Sequence, residues 1–529
     1  MPGPTGRPAC GGGDAGHPWL LDRGGRGNDA TRLPAWSTGN AVRPLVDGVA
    51  YLRAVAAALE DTGEGDVVFF ADWQGDPDEL LTDEGPTIAE ALSAAARRGV
   101  LVKGLVWRSP WDVLKVLPER NRHLAQDVRG PGAEVVLDQR VRTLGSHHQK
   151  FLVVRHAARP AADVAFVGSL DLGHSRRDDA GHRGDAQTMA FGRRYGERPS
   201  WHDVSAEVRG PAVRDVETVF RERWEDRAPL SLLPWQLVPD LARRLLRRPP
   251  GLPPQLPAPD AAGSCAVQLL RTYPRRRPRY PFAPRGERST ARGHAKALRR
   301  ARRLVYVEEQ FLWSEEVAEV FAGPLRENPD LHLVVLLPRE PKRGGPLAGP
   351  PLLLGQVRAL RVLRAAGGAR VHVFDVENHA GEPVYVHSKI TVVDDVWACV
   401  RSDNLNRRSW THDSELSAAV LDAERDPRAP RDPAGLGDGA RRFARDLRLR
   451  LLREHLDRAE GDDADLLDPS DAVAALGRSA AALDAWHDAG RRGPRPPGRL
   501  RVHRDPVLRW WQRAFAAPLY RHVLDQGER

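Results

Sequence analysis

Two short stretches of the chain pair a histidine with a lysine two residues later. They are His148 with Lys150 and His387 with Lys389, and a run of β-branched and apolar residues follows each pair. Because side chains two residues apart share one face of a strand, each pair is predicted to present an imidazole and an ammonium group together. Phosphodiester hydrolysis needs cations that neutralise the phosphoryl oxygens, a nucleophile, and an acid for the leaving alcohol. Two such pairs brought face to face would supply all of these groups.

A third copy of the spacing, His294 with Lys296, is interpreted differently. It lies in the arginine-rich stretch 292–303, which predicts a helix. Residues two apart on a helix do not share a face, so we assign this copy to a surface helix. The chain has only six lysines among its 80 basic residues, and two of the six occupy the strand copies. Lysine is therefore predicted to be chemically required at both places.

Short polar elements follow both strand copies. Gly-Ser-Leu-Asp at 168–171 follows the first, whereas Asp394, Arg-Ser-Asp-Asn at 401–404 and then Glu415 follow the second. This pattern resembles that of the phospholipase D superfamily, in which two H-x-K-x4-D motifs are each trailed by a G-S-x-N or G-G-x-D element. The resemblance runs through roughly residues 40 to 460.

Two further blocks add to the resemblance. Tyr-Val-Glu-Glu-Gln at 306–310 is similar to the I-Y-I-E-x-Q block that opens the second half of phospholipases D, and Trp-His-Asp at 201–203 is similar to their W-H-D element. Both blocks lie in the expected order along the chain.

The resemblance implies a role for each histidine and lysine. His148 is assigned as the nucleophile that forms a covalent phosphohistidine, and His387 as the general acid that later activates water. The similarity of the two motifs leaves the reverse assignment open. Lys150 and Lys389 would hold the phosphoryl oxygens as point charges.

Supporting residues are implied in the same way. Four residues match positions that bind the substrate phosphate: Ser169, Asp171, Ser402 and Asn404. Glu415 matches a carboxylate that orients a catalytic imidazole, Asp178 is assigned as its upstream counterpart, and Asp394 completes the catalytic set as the end of the second motif.

Three positions depart from the superfamily pattern. Arg155 stands where the first motif has aspartate, and Asp163, eight residues later, is a candidate substitute. Arg401 replaces the glycine of the second G-S-x-N element, and Asp171 replaces asparagine. Because no departure removes a histidine or lysine, we expect an active enzyme.

The elements that must position these residues occur twice. An apolar strand that includes Val67 precedes His148 by 81 residues, and one that begins at Leu304 precedes His387 by 83. Such matched offsets predict an internal duplication of α/β units. The expected fold class is α/β, with two duplicated phospholipase D-type domains, mixed sheets flanked by helices, and the active site at their pseudo-twofold interface.

Composition suggests the domain limits. We predict a disordered tail over 1–38, a first domain over 39–245, a proline-rich linker over 246–264, a second domain over 265–425 and a C-terminal helical extension over 426–529. Within the extension, residues 441–452 predict an amphipathic helix that packs on the second domain. For the segment with Trp510, Trp511 and Phe515 we expect packing, with a lipid-surface role as the alternative.

Charge and composition indicate which classes of binding partner and which cellular location to expect. The net charge of +9 favours anionic partners, although 71 acidic residues are interspersed with the basic ones. The three cysteines form neither a disulfide framework nor a zinc pattern, and no spacing marks His156, His174, His182 or His379 as metal ligands. These histidines are expected to be exposed or locally hydrogen-bonded. No signal peptide or 18-residue apolar run is found, which predicts a cytoplasmic protein that is peripheral at the membrane.

The expected protein is a monomeric phospholipase D. It would hydrolyse a glycerophospholipid to phosphatidic acid and a free alcohol, or transfer the phosphatidyl group to another alcohol, with no cofactor or metal and with transient membrane-surface contact. Arg155 and Arg401 suggest one alternative, a catalytically silent scaffold that binds anionic lipid. A nuclease is the other, although small nuclease relatives usually carry one motif, so nucleic acid is not the expected partner. A cardiolipin-synthase-like transferase would be expected to have N-terminal membrane spans.

Overall fold

The computed structural model describes residues 16–109, 120–143, 145–188, 195–231, 251–340 and 349–520. The strands are β1 (Ser37–Val46), β2 (Val67–Asp72), β3 (Leu101–Trp107), β4 (Glu134–Asp138), β5 (Phe151–Arg155), β6 (Val164–Gly168), β7 (Trp201–His202), β8 (Val204–Arg209), β9 (Cys265–Tyr273), β10 (Glu287–Arg288), β11 (Leu304–Glu308), β12 (His332–Leu336), β13 (Val371–Val376), β14 (Tyr385–Val386), β15 (Ile390–Val393), β16 (Trp397–Arg401), β17 (Glu415–Asp422) and β18 (Leu500–Val502). The helices are α1 (Arg23–Arg26), α2 (Gly48–Glu60), α3 (Ile88–Arg97), α4 (Arg120–Asp127), α5 (Ala212–Trp224), α6 (Ser289–Leu298), α7 (Glu315–Glu327), α8 (Gly349–Gly367), α9 (Arg407–Thr411), α10 (Arg442–His455), α11 (Pro469–Asp488) and α12 (Trp510–Leu519).

One continuous mixed sheet runs through both halves of the chain. Its order is β18-β13-β12-β11-β15-β16-β17-β9-β1-β8-β6-β5-β2-β3-β4, with β10 beside β9. The same strand arrangement occurs twice, outward from the centre of the sheet. It is β1-β8-β6-β5-β2-β3-β4 in the first half and β9-β17-β16-β15-β11-β12-β13 in the second. In each half the three outer strands are parallel and the others antiparallel. The predicted α/β class and duplication are confirmed.

The buried strands are apolar on both faces because helices cover both sides of the sheet. In β2, Phe69 packs in a core with α5, α10 and α11, whereas its neighbour Phe70 packs in a core with α2 and α3. In the second half, α6, α7 and α8 cover the face that corresponds to α2 and α3. The three layers follow directly from the continuous apolar runs in the strands. None of the described helices is both long and apolar enough to cross a membrane.

The halves are joined at two places. In the sheet, β1 pairs with β9 at Ser37 with Val267 and at Asn40 with Cys265, across an irregular register. Beside the sheet, β7 of the first half and β14 of the second form a separate parallel ladder. This second ladder lies directly before His387.

Part of the predicted disordered tail is ordered, so the prediction is wrong for residues 16–38. Trp19, Leu20 and Leu21 are buried against the second half of the chain, and the main chain of Leu21 exchanges two hydrogen bonds with the side chain of Gln268. Three adjacent apolar residues therefore outweigh the glycine and arginine around them. Residues 1–15 lie outside the described residues.

The predicted linker is only partly described. Residues 251–264 pack beside α5, where the guanidinium groups of Arg155 and Arg221 donate hydrogen bonds to the carbonyls of Pro257 and Pro253. Residues 232–250 lie outside the described part of the chain, so the division at 245 stays a prediction. The extension contains α10, which packs as predicted, but it also contributes β18, which pairs with β13.

Asp394 lies at the opposite end of β15 from Lys389. Its carboxylate accepts hydrogen bonds from the main-chain N–H groups of Arg302, Arg303 and Leu304 at 2.7, 2.9 and 2.8 Å. Burial raises the pKa of Asp394 to about 6. The geometry gives this residue a structural role, in which it fixes the start of β11 to the end of β15, in place of the catalytic role implied by the motif.

Replacing Asp394 therefore tests stability. We expect Asp394→Ala to lower the free energy of unfolding by about 2–4 kcal/mol, because it leaves three main-chain donors without their acceptor. Asp468→Ala is the matched control, since Asp468 accepts two main-chain bonds at the exposed start of α11 and should cost about 1 kcal/mol. Urea unfolding followed by tryptophan fluorescence measures both, and equal losses would contradict the assigned role.

Candidate active site

The two histidine-lysine pairs lie at the junction of the halves. Each pair precedes its strand, since β5 begins at Phe151 and β15 at Ile390, so the prediction that the pairs lie within strands is off by one to three residues. The chain leaves the sheet here to reach the other half. The N–H of His148 donates to Ser414 O at 2.9 Å, and the N–H of His387 donates to His202 O at 2.8 Å.

Each half supplies the carboxylate that binds the imidazole of the other half. His148 Nδ1 lies 3.0 Å from both carboxylate oxygens of Glu415, and His387 Nδ1 lies 2.6 Å from Asp203 Oδ2. A carboxylate at Nδ1 fixes the tautomer with the proton on that nitrogen and leaves Nε2 for chemistry. The two imidazoles therefore have matching environments built from opposite halves.

Hydroxyl and amide groups hold both carboxylates in place. Ser402 Oγ donates to Glu415 at 2.5 Å and accepts the N–H of Leu416 at 3.0 Å. Around Asp203, Ser169 Oγ donates to one oxygen, which also accepts the N–H of Val204. Trp201 Nε1 donates to the other oxygen at 3.1 Å. These bonds fix the rings indirectly, through their partners.

The two lysines are buried beside the imidazoles. Lys150 Nζ donates to the carbonyl of His148 at 3.2 Å, and Lys389 Nζ donates to that of His387 at 2.7 Å. Burial lowers the pKa of Lys389 to about 8, with a further contribution from the charge of Lys150 that the carboxylates of Asp203 and Glu309 oppose. Each ammonium group is thus held at a fixed place relative to its imidazole.

The surroundings of both imidazoles favour their uncharged form. Burial, followed by repulsion from Lys150 and Lys389, puts the pKa of His148 well below its usual value. Burial and Lys389 lower the pKa of His387 to about 3 in spite of Asp203. A neutral imidazole with its proton on Nδ1 has a lone pair on Nε2, which is the form required of a nucleophile or a base.

The family model for phospholipase D matches residues 120–318. This match and the curated relatives support the phospholipase D superfamily, which the sequence motifs resemble. The chain is 25% identical to phospholipase D2 of Bos taurus over 532 residues, covering 82% of this chain and 54% of the relative. It is 23% identical to phospholipase D gamma 2 of Arabidopsis thaliana over 455 residues, covering 63% and 53%. The chain spans about half the length of these curated relatives.

Among solved structures, the phosphatidylserine synthase of Haemophilus influenzae Rd KW20 aligns with a TM-score of 0.47 at 12% identity. The alignment covers 72% of this chain and 82% of that one.

The four residues matched to superfamily phosphate-binding positions have different surroundings. Ser169 and Ser402 donate to the carboxylates described above. Asp171 lies 3.3 Å from Lys150 Nζ and 3.1 Å from a guanidinium nitrogen of Arg176. Asn404 is buried, and its Oδ1 accepts no hydrogen bond from the described residues. Their roles toward substrate stay predictions.

Asp178 is not the upstream counterpart of Glu415. Its carboxylate accepts hydrogen bonds from the main-chain N–H groups of Trp201 at 2.8 Å, Asp179 at 2.9 Å and Gly184 at 3.1 Å, so it organises its own loop. Asp203 holds the position beside His387. The sequence contained this residue in its W-H-D block, but nothing in the spacing showed that it would reach the imidazole of the second half.

Aromatic and basic side chains that the motifs did not indicate surround the imidazoles. The Trp73 ring meets the His148 ring edge-on at 6.1 Å, with Lys150 Nζ 5.9 Å from the centre of the Trp73 ring. The Trp201 ring lies 4.8 Å from that of His387, and the Arg176 guanidinium covers Trp201 at 4.1 Å. Tryptophan rings packed around the imidazoles in this way exclude water, so solvent screens the charges of the neighbouring lysines and carboxylates poorly.

The arginines that depart from the motifs are neutralised internally. Arg401 is fully buried and donates to Glu309 at 2.9 Å and to the carbonyl of Asp403 at 2.9 Å. Arg155 is also buried and donates to Asp163 at 2.6 Å. Asp163 is thus an ion-pair partner of Arg155 in the first half.

Truncation of Arg401 tests its structural role. We expect Arg401→Ala to lower the free energy of unfolding by about 3–5 kcal/mol, because it leaves buried carboxylates without a counter-charge. Arg407→Ala is the control. Its ion pair with Glu316 has a similar length of 2.6 Å but is more exposed, so the loss should be at most about 1 kcal/mol. Chemical unfolding of both variants provides the measurement, and a loss for Arg401→Ala as small as the control would show that the buried pair is dispensable.

Proposed function

We propose that this chain is a phospholipase D-type phosphodiesterase that hydrolyses glycerophospholipids to phosphatidic acid and a free alcohol. The observation that carries the proposal is the pair of imidazoles, each with a carboxylate at Nδ1 and a buried lysine beside it. Similarity to the phospholipase D superfamily supports the same chemistry.

In the first step, the Nε2 lone pair of His148 attacks phosphorus. An N–P bond forms while the bond between phosphorus and the head-group oxygen breaks, and His387 gives the proton from Nε2 to that oxygen. The phosphodiester charge favours the protonated form of His387 in the substrate complex. Glu415 stabilises the positive charge that develops on the His148 ring through the hydrogen bond at Nδ1.

In the second step, His387 Nε2 takes a proton from water as the water oxygen attacks phosphorus. The N–P bond breaks, its electrons return to His148, and phosphatidic acid leaves. An alcohol in place of water would give transphosphatidylation through the same intermediate. Lys150 and Lys389 neutralise the phosphoryl oxygens in both steps, each anchored to the main chain of its own histidine.

Hydrolysis is tested by choline release from phosphatidylcholine vesicles in buffer without added divalent metal. We expect His148→Ala and His387→Ala each to reduce the rate by about 10²–10⁴-fold or more. Lys389→Ala should also reduce it strongly, whereas Lys296→Ala is the matched control from the off-site copy of the motif and should retain the parent rate. Added ethanol should yield phosphatidylethanol.

A p-nitrophenyl phosphatidyl ester separates the roles of the two histidines, because its leaving group needs no proton. His387→Ala should release a burst of nitrophenol and retain a covalent phosphatidyl group, whereas His148→Ala should do neither. The opposite pattern would reverse the two roles. Lipid binding without turnover of any ester would contradict the enzyme assignment, and preferential cleavage of DNA would favour a nuclease.

The C-terminal helix α12 supports transient contact with the lipid surface. The prediction that its aromatic residues pack is wrong, since Trp510, Trp511 and Phe515 are 80%, 50% and 44% exposed. Its other face packs on α8 through Ala516 and Tyr520. Tryptophan and phenylalanine on an exposed helix face suit the boundary between head groups and acyl chains.

The contacts that hold α12 on the rest of the molecule lead to the region of the site. Tyr520 donates its hydroxyl hydrogen to Trp313 O at 2.7 Å, and the Trp313 ring contacts that of Phe311. Phe311 follows β11 and Glu309, the ion-pair partner of Arg401. A helix inserted in the lipid surface would thus be attached to the segment that leaves the site.

The double variant Trp510→Ser/Phe515→Ser tests this surface. Loss of two apolar anchors should weaken vesicle binding by at least about tenfold in co-sedimentation. Turnover of a short-chain, monomeric phospholipid should stay unchanged, because the site is intact. Leu436→Ser, which changes an exposed apolar residue on the loop before α10, is the control and should bind as the parent does. Unchanged vesicle binding of the double variant would exclude α12 as the contact.

A further inference from the structure

A second cluster of titratable side chains lies around His202, the residue of β7 whose carbonyl accepts the N–H of His387. Its members are Asp47 before α2, His182 in the loop after β6, His202 in β7 and Glu454 in the last turn of α10. All four come from separate segments, and all are buried or nearly so. The proposed lipid chemistry uses none of them.

One ligand atom from each residue converges on a common point. His202 Nδ1 lies 3.0 Å from Asp47 Oδ1 and 3.1 Å from Glu454 Oε1, and Glu454 Oε1 lies 3.2 Å from His182 Nε2. All four atoms lie within 4.8 Å of one another. Tetrahedral ligands bound to zinc at about 2.0–2.1 Å are about 3.3 Å apart, which is close to these separations.

The hydrogen bonds within the cluster are incomplete. Neither His182 Nε2 nor Glu454 Oε1 has an aligned hydrogen-bond partner among the described residues, although they are 3.2 Å apart. His182 Nδ1 is likewise unpaired, with Asp178 Oδ2 at 4.0 Å. A protonated His182 ring would therefore bury two N–H groups without well-placed acceptors, which is costly. His202 Nδ1 is hydrogen-bonded to Asp47 Oδ1 at 3.0 Å, so the atoms that a metal would newly satisfy are His182 Nε2 and Glu454 Oε1.

A further carboxylate orients His202 for this role. Glu308 Oε2 lies 3.0 Å from His202 Nε2, so a proton on that nitrogen can be donated to Glu308. With a metal bound, the lone pair of His202 would lie on Nδ1, which faces Asp47 and Glu454, and would replace the hydrogen bond from that nitrogen to Asp47. A carboxylate at the outer nitrogen is the usual way in which proteins fix a metal-binding histidine.

His182 is also held in a disfavoured backbone conformation. Its φ is +51°, in the left-handed region that residues other than glycine seldom adopt. Its carbonyl accepts hydrogen bonds from Ser200 Oγ at 2.6 Å and Asn378 Nδ2 at 3.0 Å, which fix it there. The expectation of an exposed or locally bonded His182 is thus wrong, since its side chain is buried and directed into the cluster.

We propose that Asp47, His182, His202 and Glu454 form a structural binding site for a divalent transition metal of the zinc class. Metal binding would displace a proton from the facing nitrogen of each ring, and the two carboxylates and two neutral imidazoles would then carry a charge of −2, which one divalent cation neutralises. Mixed nitrogen and oxygen donors suit zinc and its neighbours better than magnesium or calcium, which prefer oxygen donors alone. Four protein ligands complete a tetrahedral shell, as in structural sites. The site could not be predicted from the spacing of residues in the sequence, because its ligands are spread over more than 400 residues.

The metal would act as a brace for the active site without contacting substrate. The carbonyl of His202 accepts the N–H groups of His387 and Ser388 at 2.8 and 3.1 Å, and the next residue, Asp203, binds His387 Nδ1. Glu454, in α10, would bind the same metal and so would attach this helix to His202. Fixing His202 would therefore fix His387, so the four ligands are positioning residues.

The test is the metal content of the full-length chain purified without a metal-affinity tag. Elemental analysis by mass spectrometry should find about one zinc-class ion per chain. Cobalt added after removal of the metal with a strong chelator should give the visible absorption bands of tetrahedral Co²⁺. His182→Ala and the near-isosteric Glu454→Gln should lose both the metal and the cobalt spectrum.

A matched control and a stability measurement complete the design. His487→Asn replaces a histidine with a carboxylate partner at 2.9 Å outside the cluster, and it should keep the full metal content. The chelator should lower the thermal midpoint of the parent and of His487→Asn, but not lower further that of Glu454→Gln. Absence of metal from the folded parent chain, together with no cobalt spectrum, would overturn the proposal and leave protonated histidines as the counter-charge. None of these readouts depends on lipid turnover.

Discussion

The exchange of carboxylates between the halves is the interaction on which the site depends. Glu415 from the second half fixes His148, and Asp203 from the first fixes His387. Both carboxylates are fully buried and come from the opposite half, so each imidazole would lose its tautomer and orientation if the halves moved apart. The supporting hydroxyls of Ser402 and Ser169 lie at corresponding positions, which makes the site symmetric in construction. A complete site therefore exists only at the junction, and neither half has one alone.

Much of this arrangement could be predicted from the chain alone. Two histidine-lysine pairs, each about 80 residues after an apolar strand, indicated a duplication, and the strand order repeats as expected. The partner of His387 could not be predicted, because Asp203 reaches it only after β7 and β14 pair between the halves. The resemblance to the superfamily led to Asp178 as the counterpart of Glu415, but the contact that orients His387 is tertiary. Residues 16–38 were missed for a similar reason, since Trp19 gains its stabilisation from a distant surface.

Arginine also behaves differently inside the fold from what composition suggests. A net charge of +9 favours anionic partners, yet many guanidinium groups are used in the interior. Arg445 and Arg448 both bind Asp395, and Arg155 and Arg401 pair with buried carboxylates. A planar group with five donors can satisfy several carbonyls and a carboxylate at once, which lysine cannot do. The positive charge thus contributes to the architecture as well as to the surface.

The two ladders between the halves limit how the molecule can move. Rotation about the β1–β9 junction would pull β7 away from β14, and rotation about β7–β14 would pull β1 from β9. Because the halves are attached along two separate ladders, neither ladder can serve as a hinge while the other stays intact. Opening the molecule between the halves would therefore break at least one of the two ladders. Entry of substrate to the two imidazoles and release of product would then depend on the loops around them and not on separation of the halves.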